Sequence, residues 1–158
     1  MDSLVNIFKD RAQNELRLAS AMFLLSGKEE IKEALGVLRD DTFYSAVISH
    51  SYYSIFYAAK AVLLIQGIRT TSPEVHNKTF EAFKRVYVDT GKLDMELLRI
   101  YQKMIVRADE LLNIFKKEKR KRGHFTYETI PQANIEPADD SLQNAKKFLK
   151  HLLAYIDK

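Results

Sequence analysis

FYSAVISHSYYSIFYAAKAVLLIQ, residues 43–66, is apolar or small on nearly every side. A helix at a protein surface keeps one apolar stripe and a polar back; one that is apolar all round is covered on most sides by others. The segment, from about Thr42 to Gln66, therefore reads as a central helix. Asp40-Asp41-Thr42 supplies caps before it and Gly67 stops it. Its polar members are grouped: Ser49, Ser51, Tyr52, Tyr53, Ser54, Tyr57 and Lys60 place hydroxyls and one cation among small residues that let neighbouring helices approach. Two readings follow. The tyrosines turn their hydroxyls to the rim of a core helix, or the run adds a self-association face or a polar cleft.

Helical spacing continues on both sides. Upstream, Ser3 can cap a helix in which Val5, Phe8, Ala12, Leu16, Ala19 and Phe23 recur at steps of three and four, ending near Ser26-Gly27. A short charged piece over residues 28–38 places Ile31, Leu35 and Leu38 on one face. Downstream, Thr70-Thr71-Ser72-Pro73 predicts a restart, with Ser72 as N-cap and Pro73 at the first helical position, and a helix over residues 74–88. From about Leu93, Leu97, Tyr101, Met104, Ala108, Leu111 and Phe115 alternate by four and three, and the helix can run through the lysines to about Lys121. Residues 130–139, with Pro131 and Pro137, read as an ordered loop. Asp140 or Ser141 then caps a last helix with Leu142, Ala145, Phe148, Leu149, Leu152 and Ile156 inward. The expected fold class is all-α, an up-and-down bundle of about five helices in a single domain. Residues 1–40 would form the N-terminal helices, 42–121 the central helices, 122–139 a loop and 140–158 the C-terminal helix.

Composition narrows the function classes. The 158 residues are 46% hydrophobic and 29% charged, a soluble globular balance, and five Gly and three Pro leave little material for hairpins. With no cysteine there is neither a disulfide framework nor thiolate chemistry, which fits a reducing interior. Asp2, Lys9, Asp10, Arg11 and Glu15 interrupt any signal-peptide core, and Ala61–Ile65, the longest aliphatic run, is too short to span a bilayer. The chain reads as complete and cytoplasmic, with no membrane partner. Its four histidines lack paired ligand spacing, and no Gly-rich phosphate loop or nucleophile elbow occurs. Neither a metal site nor a cofactor is expected.

The net charge of +4 is concentrated. KKEKRKR, residues 116–122, holds six basic side chains in seven positions and runs into Gly-His-Phe-Thr-Tyr. Cations at a helix C-terminus complement the macrodipole, but six exceed what that needs, so contact with an anion or nucleic acid stands beside the solvated-helix reading.

The runs SAVISHSYYSIFYAAKAVLLIQG (45–67) and TSPEVHNKTFEAFKRVYVDTGKLDMEL (71–97) resemble the HEPN domain family of prokaryotes. The likeness is carried by Ser49–Ala61 and by the Thr-Gly-Lys-Leu-Asp turn at 90–94. It is strongest over residues 42–98 and looser over SLQNAKKFLKHLLAYI, while the first forty residues exceed what a minimal member needs. The resemblance implies a homodimeric helical bundle, often encoded beside a small nucleotidyltransferase partner. Many members are metal-independent RNA endonucleases, marked by an Arg and, after four to six intervening residues, a His. The Arg would grip a phosphate and the His would shuttle a proton during attack by the ribose 2′-hydroxyl.

That motif is degenerate here in every register. Arg107 falls where the family arginine would, but Leu112 stands at the histidine position. Arg122 reaches Tyr127, and a phenol with a pKa of about 10 is a poor shuttle at neutral pH, although it can stack on a base. Arg120 and His124 are one residue too close. Lys117 and Lys119 have permissible spacings to His124 but lack the planar guanidinium fork. The favoured reading is a dimeric, non-catalytic RNA- or nucleotide-binding or regulatory module of the toxin–antitoxin kind, with Lys117, Lys119, Lys121, Tyr127, Tyr53, Tyr57 and Lys60 as binding residues. Two alternatives stand beside it: an endoribonuclease using Arg120 or Arg122 with His124, and a structural helical scaffold.

Overall fold

A computed structural model describes residues 2–120 and 135–158, with side chains described outside 113–120. The fold is all-α, and the described residues contain no strand. The helices are α1 (Ser3–Gly27), α2 (Glu29–Ala34), α3 (Tyr44–Ile65), α4 (Val75–Phe83), α5 (Met95–Arg120) and α6 (Ile135–Ile156), with a π-helical turn at Lys84–Val88 after α4. The segment read as central is α3. Val47, Ile55, Ala58, Ala59, Ala61 and Val62 have no exposed surface, and α1, α4, α5 and α6 all pack on it.

The long helices alternate in direction. Phe8 meets Tyr57 while Phe23 meets Tyr44, so α1 and α3 are antiparallel. The α5–α6 contacts Arg107–Asp140 and Glu96–Lys147 reverse direction in the same way. Phe83, Tyr87, Tyr101 and Phe148, all fully buried, form an aromatic centre where α4, the π-turn, α5 and α6 converge. Phe83 lies 5.8 Å from Tyr101 and 5.6 Å from Phe148, ring centre to ring centre. The Tyr87 hydroxyl donates to the Val62 carbonyl of α3, and burial, reinforced by Tyr155, raises the Tyr87 pKa to about 12.

Several element ends differ from the sequence-based expectation. Asp2, one residue before Ser3, caps α1 by accepting from the Leu4 amide at 3.1 Å. No side chain caps α3 at Phe43; instead the Ser26 hydroxyl accepts from the Phe43 amide at 2.7 Å, tying the ends of α1 and α3 together. Gly67, at φ 70, closes α3, and the Ile68 amide returns to the Leu63 carbonyl at 3.0 Å. The Ser72-Pro73 start of α4 is displaced. Glu74 adopts a left-handed conformation at φ 57, which breaks the path from Pro73, and the helix begins at Val75.

The single helical face expected for Ile31, Leu35 and Leu38 is also corrected. Helix α2 stops at Ala34 and Gly36 turns the chain at φ 69, so the three-four register is lost before Leu38. Leu35 and Leu38 are exposed, while Lys32 is buried with its ammonium donating to the Arg39 carbonyl at 2.7 Å. Helix α6 begins at Ile135, five residues before the expected cap, and carries Pro137 in its first turn, where a missing N–H costs nothing.

Candidate functional site

One stripe of α3 stays open to solvent. Ser49, His50, Tyr57 and Lys60 are part-exposed and Tyr53 is exposed, at spacings that align them along one side of the helix. The Tyr53 and Tyr57 rings stack with centres 6.3 Å apart, and Tyr57 stacks on Phe8 of α1 at 6.0 Å. Two cations decorate this aromatic row. The Arg11 guanidinium lies 4.4 Å from the Tyr57 ring centre, and the Lys60 ammonium lies 4.9 Å from that of Phe8. Lys60 also donates to the Thr70 carbonyl at 3.0 Å. Burial, then the neighbouring Arg11 charge, lowers the Lys60 pKa. At the other end of the row His50 Nδ1 donates to Glu15 at 2.6 Å.

Beside this row α3, α4 and α5 enclose a cleft of about 590 Å³. Tyr52, Tyr53, Ile105, Ala108, Leu111 and Leu112 form its walls, with Ser49, His76, Asn77 and Asp109 contributing polar groups. His76 is placed by the late start of α4, which sets it in the first turn against α3. Its ring stacks on Phe56 with centres 4.2 Å apart, and its Nδ1 lies 2.7 Å from the Tyr52 hydroxyl. Burial, then Lys60, lowers the His76 pKa, while burial, then Tyr53 and Asp109, raises that of Tyr52 well above 10.0. A neutral phenol is the better donor and an imidazole nitrogen the better acceptor, so Tyr52 donates to Nδ1. The His76 proton then stands on Nε2.

The structure brings Tyr53, Tyr57 and Lys60 together, as residues on one face. Arg107, at the family-arginine position, is engaged elsewhere. It donates to Asp140 at 2.6 Å, to Ser141 Oγ at 3.1 Å and to the Pro137 carbonyl at 3.3 Å, fastening α5 to the start of α6. Lys103 joins the same carboxylate at 2.8 Å. The hydrogen bond from Lys103, followed by Arg107, holds the Asp140 pKa below 3.8 against the opposing effect of burial. Lys117, Lys119 and Arg120 lie on the last turns of α5, the part whose side chains are not described. Lys121, Arg122, His124 and Tyr127 lie outside the described residues. Along α5, Arg120 follows cleft-lining Leu112 by about 12 Å of helix rise.

Sequence reasoning missed His76 and Asp109. Ligand-pair spacing was the wrong test for His76; its position just after a helix-restart signal was the available clue. Asp109 gave no sequence signal, being one charge among several on an exposed helix face. Among the described residues no cluster of three or more His, Asp or Glu side chains could hold a metal ion, and no described helix is long and apolar enough to cross a membrane.

A model of the HEPN domain matches residues 20–155. The chain is 30% identical over 130 residues to a "UPF0332 protein" of Thermotoga maritima, covering 82% of this chain and 85% of the relative. It is 35% identical over 74 residues to "Putative toxin MJ0142" of Methanocaldococcus jannaschii, covering 47% and 48% of the two chains. Similarity to "Putative toxin MJ0605" of the same organism is 25% over 134 residues, covering 82% and 89%. No solved structure matches the chain.

Proposed function

The chain belongs to the HEPN domain family, and from that premise we propose that it is a dimeric RNA- or nucleotide-binding regulatory module without catalysis of its own. The observation that carries this reading is the α3 row: Tyr53 and Tyr57 stacked and partly open, with Arg11 and Lys60 against the aromatic faces. Aromatic platforms flanked by cations suit unpaired bases and the backbone that links them. The run at 116–122, which begins on the last turns of α5, adds charge. Two relatives carry toxin names, which supports a toxin–antitoxin setting; a nucleotidyltransferase as protein partner follows from the family resemblance alone. The setting also implies a cytoplasmic protein.

Fluorescence anisotropy with a single-stranded oligoribonucleotide tests the reading. If four to six cations meet phosphates, log affinity should fall against log salt with a slope of roughly −3 to −4. Tyr53→Ala and Tyr57→Ala should each weaken binding by about 1–3 kcal/mol for a lost stacking contact. A flat salt response together with unaltered binding in both variants would remove both the phosphate grip and the tyrosine platform. Co-purification with a nucleotidyltransferase encoded nearby tests the partner.

The endoribonuclease reading, Arg120 or Arg122 with His124, draws on the toxin names of two relatives, with the Arg120–His124 spacing one residue short of the family motif. It requires cleavage of single-stranded RNA in EDTA that is lost in His124→Ala. Cleavage surviving that substitution removes His124 from the chemistry.

A further inference from the structure

The cleft between α3, α4 and α5 differs chemically from the cationic row beside it. Among its described lining residues there is no Lys or Arg, and the formal charge they bring is the Asp109 carboxylate. A phosphate would be repelled there. Its volume of about 590 Å³ lies within the range of small-molecule sites, far above what an ammonium group fills. Two tyrosines and several aliphatic side chains offer flat apolar surface. The occupant this describes is a planar uncharged ring with hydrogen-bond donors on its edge.

The donors can be specified. Asp109 is exposed, lines the cleft and makes no ion pair among the described residues, and its carboxylate oxygens are acceptors. His76, with Nδ1 taken by Tyr52, offers Nε2–H as a donor. Guanine presents two adjacent N–H donors, N1–H and N2–H, next to an acceptor, O6. Adenine and cytosine each set a ring lone pair beside their amino group, which faces a carboxylate unfavourably, and uracil flanks its single N–H with two carbonyls. Only guanine matches two acceptors and a neighbouring donor.

We infer that this cleft receives one guanine base, stacked against the tyrosine wall and read by the Asp109 carboxylate with His76 Nε2–H and the Asn77 amide beside it. The inference deepens the RNA-binding reading by naming the base, and it rests on that reading for its biological sense. A strand whose base enters the cleft could follow α5 toward the basic run, about 12 Å on at Arg120.

Nucleosides test the cleft apart from the phosphate grip, because they carry no charge. With the full chain, titration calorimetry and the His76 imidazole NMR signals should report guanosine binding at least about tenfold tighter than adenosine, cytidine or uridine, the discrimination of one good bidentate contact. Inosine, lacking the 2-amino group, should fall between. Asp109→Asn, at an exposed position that does not bear on folding, should reduce guanosine to the level of adenosine. Equal affinity for all the nucleosides, no binding of any, or a preference that survives Asp109→Asn overturns the inference. Salt-dependent RNA binding without nucleoside preference would refute the pocket while sparing the RNA reading. Guanosine preference in a chain that binds no RNA would uphold the pocket and remove that reading.

Discussion

At the scale of single residues, His76 carries a consequence in pH. It is held neutral in the folded chain, chiefly by burial and secondarily by Lys60, so its folded pKa lies below the ordinary 6.5. The unfolded chain then binds the proton more readily. The stability that His76 contributes is complete above pH 6.5 and is lost as the pH falls through the folded value. Protonation also converts Nδ1 from acceptor to donor and removes the hydrogen bond from Tyr52. Thermal melts should therefore show stability declining just below pH 6.5, before any carboxylate titrates, and His76→Gln should remove that part of the slope. An identical profile in the variant would mean that the Tyr52–His76 contact is not maintained in solution. The Asp140 carboxylate acts at lower pH with the same sign: its folded pKa is below 3.8, so the α5–α6 clasp is lost only as the pH falls through that lower value.

At the scale of elements, α3 was legible because its apolar residues do not alternate with charge, and Gly67 marked its end in advance. The long four-three run of α5 was equally readable, with Leu97, Tyr101 and Met104 buried as their spacing required. What local sequence did not reveal was decided by a single backbone angle or by distant neighbours. Glu74 and Gly36, both at positive φ, moved the start of α4 and exposed Leu35 and Leu38. Within the candidate site, Tyr53, Tyr57 and Lys60 were readable from one helix. The pairing of Tyr52 with His76, and the arrival of Asp109 at the same cleft, depend on how α4 and α5 dock. The small residues are the other readable device. Ala12 and Ala19 of α1 and Ala58, Ala59 and Ala61 of α3 have no exposed surface, so the helices approach where side chains are shortest. Ala19→Leu should cost about 1–3 kcal/mol through overpacking, read as a lower urea midpoint at unchanged slope. A variant as stable as the parent would mean that α1 can shift away from its neighbours without loss.

At the scale of the whole molecule, the excess of +4 is small, and its distribution along the chain matters more than its size. Arg11 and Lys60 are already in contact with aromatic faces, and Lys60 donates one of its protons to Thr70. Their capacity for phosphate is partly spent. Arg107 and Lys103 are committed to Asp140. On the proposed reading the cations at 116–122 supply the phosphate contacts, and their replacement should separate binding from folding. Exchanging Lys116, Lys117, Lys119, Arg120, Lys121 and Arg122 for Gln puts good helix formers at the positions that belong to α5. It should leave the thermal midpoint within a few degrees, since Gln matches Lys and Arg closely in helix propensity. RNA affinity should collapse at low salt, and the log–log slope should flatten by about 0.7 for every phosphate contact removed. If the slope is unchanged in the Gln variant, phosphates are held at Arg11 and Lys60 instead, and Arg11→Gln should then produce the flattening. Guanosine affinity should remain at the parent value, because the proposed base contacts are made by Asp109, His76 and Asn77.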